Sequence, residues 1–338
     1  MGTAVSLWFS QAVNWQMSFI APVITMMLLA LPLPAPKLKG GISFVAVLTL
    51  SLLAGLLLLP PLLNQPMVGI LLLVLALYWS FYFTAKGGSA LIGTFATVGI
   101  AMATAIGTVN LDAVLAVISG VSFGALVGIL FVWIAHALLP NSMAVMPEVP
   151  AAAKPPAPAP PDLAAARWSA FRSLLIILPI ALWFLFSSAS TAYVPVMIKV
   201  ASMGQQATND AARFAGRSLV MSTLIGGAGA IIGWQVLSIT PTLTIYTLII
   251  ALAGLLIGPK IFQGRALHPQ AATWSYGFLT MIVILAPAVM DSAGGGPAGI
   301  KFWDRLLMFA GTTLYAVGTV YIFDAFAPAG RKATRAAV

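Results

Sequence analysis

Residues 41–85 decide the fold: GISFVAVLTLSLLAGLLLLPPLLNQPMVGILLLVLALYWSFYFTA, 45 residues without one Asp, Glu, Lys, Arg or His. Pro60-Pro61 and then Asn64-Gln65-Pro66 divide the stretch into two apolar runs of about 20 residues each. A helix of that length rises about 30 Å, the thickness of a bilayer's hydrocarbon core. In lipid the backbone polar groups must be satisfied internally, which an α-helix does within its own segment. Both runs therefore read as transmembrane helices.

Moving outward, the pattern predicts twelve such segments. The first six are 2–14, 17–33, 41–63, 66–85, 88–108 and 112–139. The second six are 168–188, 190–204, 214–238, 241–258, 272–292 and 302–326. The first two run together at Asn14-Trp15-Gln16 and also read as one broken helix, and the pair across Ser187-Ser188 has the same ambiguity. The expected fold is an all-α polytopic membrane protein. Its expected units are a first six-helix repeat over 1–139, a Pro-rich linker over 140–167, a second repeat over 168–326 and a basic tail over 327–338.

Composition agrees. The 338 residues hold 16 Lys+Arg and 7 Asp+Glu, only 7% charged against 61% hydrophobic. A soluble domain carries roughly 25% charged residues, so a soluble enzyme, a secreted disulfide scaffold and a disordered tail are excluded. The net charge of +9 is scattered over short loops and forms no continuous basic face, so no nucleic-acid partner is expected. With no Cys there is no disulfide, thiolate zinc site or Cys nucleophile. Two isolated His make no metal site. No Ser/His/Asp set, HExxH or pair of carboxylates falls within a span, so neither enzyme nor cofactor is expected.

Lys and Arg set the orientation, because cytoplasmic loops carry the positive excess. Lys37, Lys39, Lys86, Lys154, Arg167, Arg172, Arg213, Arg217, Lys260, Arg265, Arg331, Lys332 and Arg335 all fall on one side of the twelve-span layout, and Lys301 and Arg305 on the other. This predicts cytoplasmic N- and C-termini.

The halves resemble each other. Pro22, Lys37/Lys39, Gly55, Pro66 and Lys86 in the first match Pro195, Arg213/Arg217, Gly229/Gly233, Pro241 and Lys260 in the second. Repeats of six spans keep the same orientation and are related by an axis near the membrane normal. On this alignment the counterpart of Arg172 precedes Met1, which implies that the first helix begins upstream. The linker 147–162 (PEVPAAAKPPAPAPPD) reads as an extended polyproline-II tether, or as a docking site for a proline-recognising partner.

Three features together resemble the fusaric-acid-resistance and aromatic-acid-exporter superfamily of bacterial inner-membrane proteins. One is the aromatic-then-Pro opening of each half, Trp15…Pro22 and Tyr193…Pro195. Another is the basic cluster entering a Gly-rich helix, Arg213-Phe-Ala-Gly-Arg217…Leu224-Ile-Gly-Gly-Ala-Gly. The third is Asp304-Arg305…Gly311. The chain is similar to a compact form that lacks the family's cytoplasmic domain. The resemblance implies an inner-membrane transporter that works with a periplasmic adaptor to export aromatic carboxylates or related organic acids. The six-helix unit is also similar to plant malate channels, which pair two units around one anion path.

An ionisable group at membrane depth costs about 2.5 kcal/mol or more, so it is a functional candidate. Lys199, four residues after the helix-breaking Pro195, suits a carboxylate, or it snorkels to headgroups. Tyr193 and Trp15, before Pro195 and Pro22, stack on an aromatic substrate or simply pack. Arg305 receives an anion through its bidentate fork or forms an interfacial ion pair with Asp304, Lys301 or Asp291. His136 and Asp324 are the candidates for proton coupling, or they are polar helix ends. Trp15, Tyr78, Trp79, Tyr82, Trp168 and Trp303 read as interfacial belts. Gly120/Gly124/Gly128, and Gly226-Gly-Ala-Gly229 with Gly233, read as close-packing faces. The reading is thus an exporter of organic anions. An anion channel, or a non-transporting subunit that anchors an adaptor, are the alternatives.

Overall fold

A computed structural model of the chain describes residues 1–15, 17–138, 163–186, 212–263, 266–293 and 298–325. Helices occupy nearly all of them. The first half contains α1 (Gly2–Val13), α2 (Ile20–Leu29), α3 (Leu38–Leu57), α4 (Leu59–Asn64), α5 (Pro66–Ala85), α6 (Ala90–Gly107) and α7 (Leu111–Leu138). The second contains α8 (Leu163–Phe186), α9 (Ala212–Ile239), α10 (Leu243–Ile261), α11 (Ala271–Ala293) and α12 (Ala298–Ala325). Between α10 and α11 a two-residue antiparallel ladder pairs Phe262 with Leu267 and Gln263 with Ala266. Among the described residues, seven helical segments are long and apolar enough to cross a membrane, and α2 and Ile92–Gly107 are shorter apolar helices. The protein is a polytopic α-helical membrane protein.

Some boundaries differ from the sequence reading, mostly at prolines. The segment read as 17–33 is helical only over Ile20–Leu29. Pro32, Pro34 and Pro36 lack a donor and push the residues before them out of the α region. The segment 41–63 splits at Leu58, with Pro60 and Pro61 in the first turn of α4, where a missing N–H costs little. Helix α8 starts at Leu163, inside the stretch read as linker. The segment 190–204 lies outside the described residues.

α1 and α2 are separate helices, ending at Val13 and starting at Ile20. Asn14 and Met17 both adopt left-handed backbone, with φ of 52° and 60°. Pro22 sits inside the first turn of α2. The break therefore precedes this proline and is made by two non-glycine residues at positive φ, each strained by about 1–2 kcal/mol.

The helix pairings repeat between the halves. The two most extensive are α3 with α6 and α9 with α11. Likewise α5 packs on α6 as α10 on α11, α3 on α7 as α9 on α12, and α6 on α7 as α11 on α12. Between halves the contacts cross over: α1 packs on α10, and α5 on α8. α2 also reaches α11.

Small residues and hydroxyls make these pairings, as expected where lipid removes the hydrophobic drive between helices. A Cβ at Gly55 would meet the Ala103 side chain at 2.7 Å and the Ile100 carbonyl at 2.8 Å. A Cβ at Gly226 would run into Thr280 and the Gly277 carbonyl. Both glycines thus sit on two residues three apart in the partner helix, and both follow a buried serine by four, Ser51 and Ser222. The structural counterpart of Gly55 is therefore Gly226, not Gly229 or Gly233, which instead face Met281 and Leu285. Gly124 and Gly128 admit Ile20, Ala21 and Ile24 of α2. There Thr25 Oγ1 lies 3.1 Å from Ser6 Oγ on α1 and 3.1 Å from the Gly128 carbonyl oxygen on α7.

Candidate functional site between the halves

The α1–α2 turn and the α11–α12 connection meet at one end of the bundle. Gln11 Nε2 on α1 donates to Ser18 Oγ at 3.3 Å, and that hydroxyl lies 3.9 Å from Met290 Sδ on α11. Ser18 is fully buried. The next residue after Met290 is Asp291. Its Oδ2 accepts from Arg305 Nη2 at 2.6 Å, and its Oδ1 accepts from Lys301 Nζ at 3.3 Å. Gln11 and Ser18 of the first half therefore meet Met290 of the second at this level, and Met290 is followed in the chain by the Asp291–Arg305 pair.

The cluster is unevenly buried. The Arg305 side chain is 2% exposed, that of Asp291 21% and that of Lys301 44%. Arg305 is the eighth residue of α12, about 10 Å along the helix from its start. A guanidinium that deep is sustained by a partner with short charge-assisted geometry, which the 2.6 Å contact supplies. Asp304 is exposed on the adjoining face. Phe302, one turn before Arg305, is fully buried and stacks on Trp234 of α9 at 5.2 Å and 11°.

A second feature of the seam is unsatisfied polarity. Ser10 Oγ, Trp15 Nε1, Ser173 Oγ and Tyr246 Oη are buried and find no hydrogen-bond partner among the described residues. Ser10 is on α1 and Tyr246 on α10, which pack together; Ser173 is on α8, which packs on α5; Trp15 is in the turn that leads to α2. Each therefore stands on an element that joins the halves. A buried polar group left without a partner costs about 1–3 kcal/mol by mutational measures.

The sequence-derived candidates scatter. Arg305 and Pro22 lie on the helices of this seam, and Trp15 in the turn before α2. The Trp15 ring is wedged between Phe123, edge-on at 5.0 Å, and Phe9 at 6.4 Å. For Arg305 the structure assigns Asp291 as an ion partner, and Lys301 shares that carboxylate. Lys199, Pro195 and Tyr193 lie outside the described residues. His136 is in the last turn of α7, its Nδ1 2.9 Å from the Val132 carbonyl oxygen. Ala135 beside it faces Gly2, so His136 belongs to the opposite end of the bundle from the α1–α2 turn. Asp324 stands at the far end of α12, about 28 Å along the axis from Arg305. The two proton-coupling candidates are thus remote from the ion cluster.

Sequence reading missed three residues. Ser18 and Tyr246 carry no signal, being a serine and a tyrosine in apolar surroundings. Arg172, read as one of the cations around the central linker and not as a site residue, is buried at 8% two turns inside α8.

Among known proteins, residues 1–135 match the model of a family described as "Protein of unknown function (DUF2955)", and the match ends in the last turn of α7. No curated protein and no solved structure matches the chain.

Proposed function

We propose that this protein is a membrane transporter exporting small organic anions of the aromatic carboxylate type from the bacterial cytoplasm, and a compact relative of the fusaric-acid-resistance and aromatic-acid-exporter superfamily. The observation that carries the reading is the group of unsatisfied polar side chains on the elements joining the halves, Ser10, Trp15, Ser173 and Tyr246. Buried polar groups at membrane depth mark water-lined or solute-lined paths. Transporters built of repeats hold their substrate at the repeat interface.

In this reading the chain has twelve spans in two parallel six-span repeats, with both termini in the cytoplasm. The recurring helix pairings and a family match that ends in α7 support the two units. The ion cluster of Asp291, Lys301 and Arg305 then lies on the periplasmic side, where an adaptor would dock. The substrate path runs along the seam past Pro22 and Trp15 and takes in Tyr193, Pro195 and Lys199, with Arg305 at its outer end. His136 and Asp324 handle protons on the cytoplasmic side.

Flux into proteoliposomes tests this. Uphill accumulation of radiolabelled benzoate under an imposed gradient is the expected result. Downhill flux alone would make the protein a channel, and no flux alongside adaptor binding would make it a scaffold. Lys199→Met should lower flux tenfold or more, equivalent to about 1.4 kcal/mol or more, with expression intact. Unchanged flux would remove Lys199 from the path.

A further inference from the structure

Two buried hydroxyls, one from each half, stand at a single level of the seam. α10 and α11 run antiparallel on either side of the Phe262–Leu267 ladder, and Gly254 faces Phe278. Gly233 of α9 faces Leu285 and Ile249 together, which sets those two residues at one height. Tyr246 of α10 is therefore level with Pro287 of α11, less than a turn before Met290. Gln11 reaches Ser18, and Ser18 meets Met290, so the last turn of α1, with Ser10, ends at this height too. Here α1 of the first half packs on α10 of the second.

We propose that the contact between α1 and α10 is a gate at the ion-cluster end of the seam, shut in this structure, and that its opening returns the hydroxyls of Ser10 and Tyr246 to water. The inference deepens the transport reading above and rests on it for the gate's part in export; the opening itself stands on the geometry.

Three observations carry it. Ser10 and Tyr246 are both 0% exposed, and neither hydroxyl has a hydrogen-bond partner among the described residues. Buried polar groups are ordinarily paired, because an unpaired one has given up its bonds to water for nothing. Since the two helices belong to different halves, parting them relieves both groups without unfolding either helix. The second observation is backbone strain. Asn14 and Met17, in the turn that leaves α1, are the non-glycine residues at positive φ among the described ones. Such conformations persist where packing enforces them, and they gather at switch regions. The third is Pro287 inside α11 at the level of Tyr246. It offers no N–H to the Val283 carbonyl, so α11 lacks a rung of its ladder there and bends most readily at that point. The turn beyond carries Met290, which touches Ser18.

What holds the gate shut is apolar. Leu7 lies one turn from Ser10 and Ile250 one turn from Tyr246, and both are fully buried. Apolar packing thus favours the shut state and the two hydroxyls oppose it, which is the balance a two-state element needs.

Thiol labelling tests the gate without relying on transport, since the chain has no Cys of its own. The full-length protein in liposomes would carry Leu7→Cys, or Leu52→Cys on α3, an equally buried site inside the first half. Leu7→Cys should react with a small charged thiosulfonate roughly tenfold faster than Leu52→Cys or more. Adding Ser10→Ala with Tyr246→Phe keeps the shape and removes the opposing groups, so the shut state gains. Labelling of Leu7→Cys should then slow by about tenfold, and the unfolding temperature should rise. If Leu7→Cys does not fold, Ala4→Cys, one turn away on α1, replaces it. Leu7→Cys as inert as Leu52→Cys overturns the proposal. So does labelling that the paired substitutions leave unchanged, or an unfolding temperature that they lower, which would show both hydroxyls bonded in the shut state. Gated labelling without flux would leave the gate standing and end the transport reading; flux with an inert Leu7→Cys would do the reverse.

Discussion

Asp291 and Arg305 form a pair in which the two members should not be equally costly to lose. Removing the carboxylate leaves a guanidinium in the interior with its principal partner gone, a change worth about 3–5 kcal/mol for buried pairs. Removing the guanidinium leaves Asp291 partly solvated and still beside Lys301. Arg305→Met should therefore lower the unfolding temperature clearly less than Asp291→Asn in plain buffer. Equal losses would mean that the pair is screened by solvent and is worth no more than the 0–1 kcal/mol of a surface ion pair. The same scale separates two kinds of glycine. Gly226 faces a backbone carbonyl and has no room for a Cβ, whereas Gly311 has nothing within 4 Å. Gly226→Leu should cost more than about 3 kcal/mol or prevent assembly, since backbone cannot yield as a side chain does. Gly311→Leu should leave the melting temperature within a degree or two of wild type.

At the scale of the helices, much was legible before the structure. Apolar length located α5, α7 and α11 to within a few residues, because a spanning helix has to be both long and apolar. Proline placed the end of α2 and the start of α4 only in hindsight, since several prolines stand in each stretch and any of them can stop a helix. The register of the repeat was not legible from Gly and Pro alone. Small residues recur every three or four positions in many membrane helices, so Gly226, Gly229 and Gly233 were equivalent on paper. The pairing Ser51-x-x-x-Gly55 with Ser222-x-x-x-Gly226 would have settled it. Arg305 and Asp291 lie fourteen residues apart across a connection, and nothing in their spacing names them as partners. The orientation of the helices has a direct test, because the chain contains no Cys and single cysteines label without background. Cysteine at Lys37 or Lys86 should react with an impermeant maleimide in inverted vesicles, and cysteine at Lys301 in right-side-out ones. The opposite pattern would turn the whole assignment of sides around.

Across the whole molecule, the crossing contacts make the seam the place where the proposed transport cycle would act. α1 leans on α10 and α5 on α8, so neither half can rotate without sliding past the other. Ser18 and Met290 are the touching residues at the end with the ion cluster. Cysteines at both, joined by a short bifunctional reagent, should abolish flux while leaving the fold intact, and a reducible linker should restore it on reduction. Flux that persists through a complete cross-link would show that the seam stays still during transport.

The exchanged partners α1/α10 and α5/α8 carry one more consequence. Each half completes its neighbour with the same two surfaces that it offers in return, so the geometry closes with identical pieces as well as with different ones. A chain holding one half of this design would carry both surfaces needed to pair with a second copy of itself. The two halves are nevertheless not equivalent: the α11–α12 connection carries the ion cluster, where the first half has Asn110 capping α7.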